Sequence, residues 1–411
     1  MPHNLRRLKL ACYTANATMS VVASLSPVLF ITLRSLYGFS YSLLGLLVLI
    51  NFVTQLTVDL IFSFFSHKFN IPRTLRIMPI LAVVGLAFYG LSPWLFPQHI
   101  YLGLAIGTVL FCASSGLAEV LLSPVIAAIP AKDPDREMSK LHSVYAWGTV
   151  GVILVSTLFL LVFGNENWPF LAFFFLLIPL LSAILFAGAE IPKMETPEKV
   201  SGALRFFKNK WLWFSVLAIF LGGAAECAMA QWSSGYLEQA LGIPKVWGDV
   251  FGVALFSVFL GLGRTLYAKF GKNLGKVITL GAVGAVVCYF ICAVSAWPAV
   301  GLLACALTGF CTSMLWPGNL VLATDRFPTG GVFIFAMMAA GGDLGASVAP
   351  QLIGIVTDTA ITNPTVTSVA ATLSLSPEQL GMKLGMLMAM LFPLAAIPLY
   401  RHIWMKQNDE K

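Results

Sequence analysis

The chain has few charged residues for its length. Only 10% of its 411 residues are Asp, Glu, Lys or Arg, whereas 58% are hydrophobic. A soluble globular domain has about 25% charged residues. The sequence also offers no nucleophile–base set and no cluster of metal-ligating residues, so we expect neither an enzyme nor a metalloprotein. The composition predicts a membrane protein.

Long polar segments are equally scarce. A helix needs about 20 apolar residues to cross the roughly 30 Å hydrocarbon core of a bilayer, and twelve stretches qualify. They lie at 11–33, 41–66, 74–95, 100–130, 140–164, 168–189, 211–239, 246–269, 275–296, 298–322, 330–357 and 379–404. We therefore predict an all-α membrane protein with twelve transmembrane helices.

Basic residues are nearly absent from one side of this arrangement. With the N-terminus in the cytoplasm, all of the 25 Lys and Arg residues fall on the cytoplasmic side except Arg34, Lys245 and Lys383. Cytoplasmic loops carry such an excess of Lys and Arg. We expect a multi-pass protein of the cell (inner or plasma) membrane with both termini cytoplasmic. The net charge of +7 then favours contact with anionic lipid rather than nucleic acid.

The seven cysteines do not form a recognisable ligand set. All of them fall in apolar stretches, and Cys288 and Cys292, one helical turn apart, have no further ligand nearby. We interpret them as small buried hydrophobic residues. No metal or organic cofactor is expected.

The twelve stretches divide into two similar halves. A charged segment separates them, which predicts a six-helix bundle at 1–190, a cytoplasmic linker at 191–210 and a second six-helix bundle at 211–411. Gly116–Leu117–Ala118–Glu119 aligns on Gly309–Phe310–Cys311–Thr312, and two further segments match in the same order. Parallel repeats of this kind place a solute site near the bilayer midplane, at the interface of the pseudo-symmetric halves.

These features resemble the major facilitator superfamily of secondary transporters. The signature loop after the second helix of that family corresponds here to Ser63, His67, Lys68 and Asn70, so that only its basic character remains. The fourth and fifth helices resemble the fucose permease-like branch of sugar:proton symporters. The residues that carry this likeness are Gly116–Leu117–Ala118–Glu119, His142–Ser143–Val144–Tyr145 and the Trp316–Pro317 turn. The resemblance implies a proton-coupling role for Glu119.

Four carboxyl groups lie in the interior of the apolar stretches, away from their ends: Asp59, Glu119, Glu226 and Asp343. A charge at the bilayer centre costs about 2.5–3.5 kcal/mol on insertion scales, so we expect all four to face the bundle interior and to handle protons. No Lys or Arg lies mid-span to hold them ionised, which disfavours anionic solutes. Coupling to sodium rather than protons stays open, as does a purely structural role in helix–helix hydrogen bonding.

Other polar and aromatic residues share helix faces with these acids. Asn51, Gln55 and Asp59 are four residues apart and therefore form one stripe. The predicted solute-binding residues are Asn51, Gln55, Tyr145, Gln231, Trp232, Trp316, Asn319 and Gln351. The predicted hinge and gate residues are Pro27, Pro124, Pro317, Pro350, Lys68 and Arg264.

The sequence thus predicts a secondary active transporter working by alternating access. We expect proton-coupled symport of a small neutral polar solute, with a sugar as the first candidate, in a monomer surrounded by lipid. A proton-driven efflux antiporter for drugs or lipophilic cations is the alternative. The fifth-helix segment Trp147–Gly148–Thr149–Val150–Gly151 lacks the proline typical of antiporters. A non-transporting receptor is a third possibility.

Overall fold

The computed structural model describes residues 3–65, 68–130, 134–192, 203–327 and 331–409. Within these ranges the regular secondary structure is helical and includes no strand. This is the expected outcome for a chain in lipid, where a helix satisfies its own backbone hydrogen bonds.

The main helices follow the twelve predicted apolar stretches. We label them α1 (His3–Tyr37), α2 (Tyr41–Phe65), α3 (Ile71–Leu95), α4 (Ile100–Ala128), α5 (Pro134–Phe163), α6 (Trp168–Ala187), α7 (Lys210–Leu241), α8 (Lys245–Trp247, Gly248–Ala254 and Leu255–Phe270), α9 (Leu274–Val294), α10 (Pro298–Thr312 and Leu315–Arg326), α11 (Gly331–Thr362) and α12 (Pro377–Asp409).

Eleven segments of the described chain are long and apolar enough to cross a membrane, and α5 contributes a shorter apolar stretch, Trp147–Phe163. The predicted all-α, twelve-helix fold class is confirmed. A short helix, Pro364–Thr372, lies between α11 and α12 and was not expected. Asn363 caps it by accepting hydrogen bonds from the N–H groups of Thr365 and Val366, at 2.9 and 3.2 Å.

Two helices are irregular. The seven residues Gly248–Ala254 of α8 form a π-helical segment. In α10 the helix is interrupted between Thr312 and Leu315, just before the Trp316–Pro317 pair. Proline at the start of the second segment lacks the N–H that an uninterrupted helix would use, so a break at this point costs little.

Packing divides the chain into two compact units. The first contains Met1–Ser26 and Ile50–Val200, and the second contains Pro27–Leu49 and Ser201–Lys411. Residues 27–49, the end of α1 and the start of α2, thus pack with helices from the second half of the sequence. The predicted boundaries at 190 and 210 stay a prediction, and residues 193–202 of the predicted linker lie outside the described residues.

Each unit is held together by an apolar core and by close helix crossings. The core of the first unit includes Leu8, Leu75 and Phe186. In the second unit, α7 and α11 cross at glycines: a Cβ atom on Gly223 would lie 2.6 Å from the carbonyl oxygen of Gly342. Small residues allow this approach, which favours van der Waals packing in lipid.

Candidate functional site

The first candidate site is a cluster of five polar residues on α2 and α4, in the first unit. We call it the α2–α4 cluster; its members are Asn51, Gln55, Asp59, Ser115 and Glu119. The amide of Gln55 donates to Asn51 Oδ1 at 2.5 Å, and the Ser115 hydroxyl donates to Gln55 Oε1 at 3.2 Å. The stripe predicted from the four-residue spacing therefore exists, and it faces α4.

The two acids of this cluster differ in exposure. Asp59 is 4% exposed, and its Oδ1 atom has no hydrogen-bond partner among the described residues. Glu119 is exposed. Gly116 brings the two helices together, since a Cβ atom at this position would lie 3.2 Å from Asp59 Oδ1.

The carboxyl groups of Asp59 and Glu119 interact electrostatically. Two neighbouring carboxylates repel each other when both are ionised, and the repulsion is strong where water is largely excluded. One proton or one cation shared by the two carboxyl groups removes this repulsion. The pair is therefore suited to binding and releasing a single positive charge.

The two acids of the second unit have different surroundings. Glu226 Oε1 accepts an ion-paired hydrogen bond from Arg264 Nη2 at 3.2 Å, and Arg264 Nε also donates to the carbonyl oxygen of Ser313 at 3.0 Å. The expectation that no basic residue neutralises the acids is therefore wrong for Glu226. The Arg264 side chain extends from α8 to α7. Its position near the end of a span did not reveal that it could contact Glu226.

Asp343 is buried beside the glycine crossing of α7 and α11. The ring of Trp316 lies over this crossing, so that a Cβ atom at Gly342 would collide with it and one at Gly223 would lie 2.9 Å from it. Trp316 itself is half-buried. The predicted residues Asp343 and Trp316 are thus brought to the same part of the second unit.

The remaining predicted solute residues fall into separate environments. Trp232 is fully buried, donates from Nε1 to the carbonyl oxygen of Pro350 at 2.9 Å, and packs against Phe30 and Tyr41 with centroid distances of 5.2 and 5.9 Å. The amide nitrogen of Asn319 donates to the carbonyl oxygen of Leu315 at 2.6 Å. Both side chains are engaged in packing or backbone contacts.

Two predicted solute residues keep a side-chain oxygen without a partner among the described residues, and a third is exposed. The side-chain oxygens of Gln231 and Gln351 are buried and have no hydrogen-bond partner among the described residues. Tyr145 on α5 is 38% exposed. The geometry thus leaves two amide acceptors in the second unit.

Comparison with known sequences identifies the family. Residues 11–350 match the Major Facilitator Superfamily. The chain belongs to the Major Facilitator Superfamily. A comparison with individual curated proteins gives no match.

Solved structures agree in fold. A D-xylose–proton symporter is 15% identical, with a TM-score of 0.69 over 97% of this chain and 99% of the other. The nucleoside transporter NupG is 14% identical, with a TM-score of 0.67 over 97% and 99%. The fucose:proton symporter of E. coli is 16% identical, with a TM-score of 0.56 over 95% and 98%.

Membership of the superfamily makes this protein a multi-pass membrane transporter and not an enzyme. At these levels of identity the structural likeness supports the fold alone. The substrate, the coupling ion and the residue roles are argued from the site itself.

The proline and basic residues predicted as hinges or gates lie as follows. Pro27, Pro124 and Pro350 are inside α1, α4 and α11, whereas Pro317 is in the first turn of the second α10 segment. Lys68 is exposed, with Nζ 5.1 Å from the centre of the Phe65 ring. His67, of the same signature loop, lies outside the described residues, as do the side chains of Ser63, His142 and Ser143. The hinge roles stay a prediction.

Sequence reasoning missed a polar group of this transporter that links α1, α2, α11 and α12. We call it the cap cluster; it consists of Arg34, Tyr41, Asp358 and Glu378, all in the second unit. Arg34 Nη2 and the Tyr41 hydroxyl both donate to Glu378 Oε1, at 3.1 and 2.5 Å. The Arg34 guanidinium also lies 4.0 Å from the centre of the Tyr41 ring.

Asp358 completes the cap cluster by binding the first turn of α2. Its two carboxylate oxygens accept the N–H groups of Tyr41 and Ser42 at 3.1 and 2.6 Å. Ser40 Oγ accepts the next N–H, from Leu43, at 3.2 Å. The first N–H groups of a helix have no partner within the helix, so α11 supplies what α2 lacks. The one available sequence signal was Arg34, one of only three basic residues on its predicted side.

Proposed function

We propose that this transporter couples the uptake of a small neutral polar solute to protons, with a sugar as the first candidate. The observation that carries the proposal is the α2–α4 cluster, in which two interacting carboxyl groups adjoin a chain of hydrogen-bonded amides and a hydroxyl. The carboxyl pair is suited to binding and releasing one proton. The hydrogen-bonded side chains beside it are of the kind that binds hydroxyl-rich solutes. Localisation in the cell membrane with cytoplasmic termini belongs to the same proposal.

In the proposed cycle Glu119 exchanges the proton because it is exposed, and Asp59 responds because it is buried beside Glu119. Protonation removes the repulsion between the two carboxyl groups, and deprotonation restores it. Moving one charge through 100 mV yields about 2.3 kcal/mol. At 1.4 kcal/mol for each factor of ten, that energy supports a roughly 40-fold gradient of a neutral solute.

The ion pair of Arg264 supports a neutral solute. Arg264 is already paired with Glu226 at 3.2 Å, so it has little positive charge left for an anion. Asn51 and Gln55 in the first unit, and Gln231 and Gln351 in the second, supply hydrogen-bonding amides. Trp316, which is half-buried, supplies a flat apolar face of the kind that the C–H face of a pyranose contacts.

The relatives give further support to this choice of solute. Two of the compared structures are proton symporters for xylose and fucose, and a third is a nucleoside transporter. We also propose kinship with the fucose permease-like branch, on the position of Glu119 on α4. Xylose, fucose and nucleosides are neutral and rich in hydroxyl groups, as the proposal requires.

The test compares Glu119→Gln with wild type in proteoliposomes. A thermal-shift screen of sugars, nucleosides and amines first selects the solute. Glu119→Gln should abolish accumulation driven by a pH gradient, because the amide cannot release a proton, but should retain solute exchange at zero gradient. Glu166→Gln, an exposed acid between α5 and α6, is the matched control and should accumulate solute normally.

Accumulation by Glu119→Gln at the wild-type level would refute the coupling role. The direction of proton movement separates symport from the efflux alternative. Adding solute outside should make the vesicle lumen more acidic in symport, whereas an antiporter would release protons from the lumen. A lipophilic cation that moves against the protons would favour the efflux reading.

A further inference from the structure

An apolar groove on the second unit has no role in the proposed transport cycle. It lies where α8 ends and α9 begins, beside the break in α10, and its volume is about 500 Å³. Its walls are mainly aliphatic and aromatic; they include Leu266, Tyr267, Phe270, Val277, Leu280 and Phe310. Grooves of roughly 300–1,000 Å³ are of the size that binds small apolar ligands.

The groove is open at its side rather than closed inside the bundle. Phe270 is 72% exposed and Leu280 is 59% exposed. Two of the helices that form it, α8 and α9, contribute the spans Lys245–Tyr267 and Leu274–Val294. Apolar side chains exposed on spans meet lipid in a membrane, so an acyl chain is the apolar group that reaches this groove without crossing water.

One end of the groove is strongly basic. Lys272 lines it directly, and Lys269 and Lys276 stand within four residues of Lys272, all three exposed. No Asp or Glu occurs in the sequence between Asp249 and Asp325, so no acid in this stretch neutralises them. These lysines occupy the connection between two spans, which is the depth of lipid headgroups.

The start of α9 adds a second attraction for an anion. Its N-cap residue, Asn273, makes no side-chain capping hydrogen bond. The N-terminus of a helix attracts phosphate through its free N–H groups and its dipole. Basic pockets between transmembrane helices are known to bind anionic lipid headgroups.

We infer that this groove is a binding site for one anionic phospholipid of the leaflet that the lysines face. An acyl chain fills the apolar groove, and the phosphate lies at Lys272 and the start of α9. The site is in the second unit only, and neither Asp59 nor Glu119 lines it.

The first test measures lipid binding to the purified full-length protein by native mass spectrometry. Dioleoylphosphatidylglycerol and dioleoylphosphatidylcholine have the same chains and differ in headgroup charge. Wild type should bind one phosphatidylglycerol at least tenfold more tightly than phosphatidylcholine. Each basic residue near a membrane surface contributes about 1 kcal/mol, or roughly a fivefold change in affinity. Lys272→Gln with Lys276→Gln should therefore weaken phosphatidylglycerol binding about 25-fold.

Lys208→Gln with Lys210→Gln is the matched control for charge, since both lysines are exposed and lie outside the groove. This control should keep the preference for phosphatidylglycerol. An equal loss in the control would overturn the inference, because it would show attraction to general surface charge. An absent preference in wild type would overturn it as well.

A second arm tests the groove itself. Val277→Trp narrows the groove and should weaken binding of both lipids at least tenfold, whereas Val287→Trp, at an exposed site farther along α9, should not. Tetraphenylphosphonium serves as a competing lipophilic cation. Binding of that cation in the groove without binding of phosphatidylglycerol would assign the groove to a different ligand and overturn the inference. The lysine variants are all at exposed positions, so the charge arm stays informative if Val277→Trp does not fold.

Discussion

The carboxylate of Asp358 provides the sharpest test of the packing of residues 27–49. It accepts two N–H groups of α2, from Tyr41 and Ser42. The substitution Asp358→Asn keeps the size of the side chain but leaves one acceptor oxygen and no charge. One hydrogen bond to α2 is then lost and the other loses its charge assistance. We expect the start of α2 to detach more often from α11.

The magnitude follows from the geometry. Removing a capping side chain costs about 0.5–2 kcal/mol, and a carboxylate near a helix N-terminus contributes about 0.3–1 kcal/mol more through the helix dipole. Both bonds are made to a carboxylate and the one to Ser42, of 2.6 Å, is short, which places the loss near the upper part of this range. A loss of about 2 kcal/mol raises the population of the detached state roughly 30-fold.

Hydrogen–deuterium exchange reads this opening directly, because the two affected donors are backbone amides. In Asp358→Asn, the peptide covering residues 39–46 should exchange roughly 30-fold faster, while peptides from α3 and α9 keep their rates. Asp325→Asn, at an exposed acid, is the matched control and should leave the peptide unchanged. Unaltered exchange at residues 39–46 in Asp358→Asn would refute the assigned contact, and faster exchange in all peptides would indicate global destabilisation instead.

Two further substitutions test packing within the second unit, each by the midpoint of thermal unfolding. Trp232→Phe should destabilise by about 2 kcal/mol, since it removes the hydrogen bond to the Pro350 carbonyl and leaves space where the indole was; an unchanged midpoint would contradict the buried position of the indole. Gly345→Ala should destabilise by about 1–3 kcal/mol because its Cβ atom would collide with the Phe220 carbonyl. The control is Gly261→Ala, where a Cβ atom meets open space; it should be neutral or stabilising by up to about 1 kcal/mol. Equal losses of stability in the two alanine variants would argue against close packing of Gly345 on α7.

The helices were the most predictable part of this transporter. The length of an apolar stretch locates a span in lipid, because a helix is the structure in which a single segment satisfies its own backbone hydrogen bonds there. The stripe of Asn51, Gln55 and Asp59 was predictable for a similar reason, since a four-residue spacing puts side chains on one face whatever the tertiary structure. Its partner face on α4 required the structure.

The sequence did not reveal which partner each polar side chain binds. The three-residue spacing places Asn319 on the same helix face as Trp316. It does not indicate that the Asn319 amide donates to the carbonyl oxygen of Leu315 in its own helix. Arg264 looked like a residue of the span end because the reach of its long side chain to Glu226 depends on how α7 and α8 cross. Asp358 and Glu378 lie just outside the predicted stretches 330–357 and 379–404, so the search for acids inside spans passed over them. Side chains of this kind are assigned by tertiary contacts rather than by local pattern.

The membership of residues 27–49 in the second packing unit affects how the chain can be divided. A fragment that stops after the sixth helix would contain the first turn of α2 without Asp358, and a fragment that starts at the seventh would contain Asp358 without the amides it binds. The second fragment lacks residues 27–49 of its own packing unit, and the first carries those residues without the helices they pack against. The apparent internal duplication therefore does not mark a place where this chain separates into self-sufficient parts.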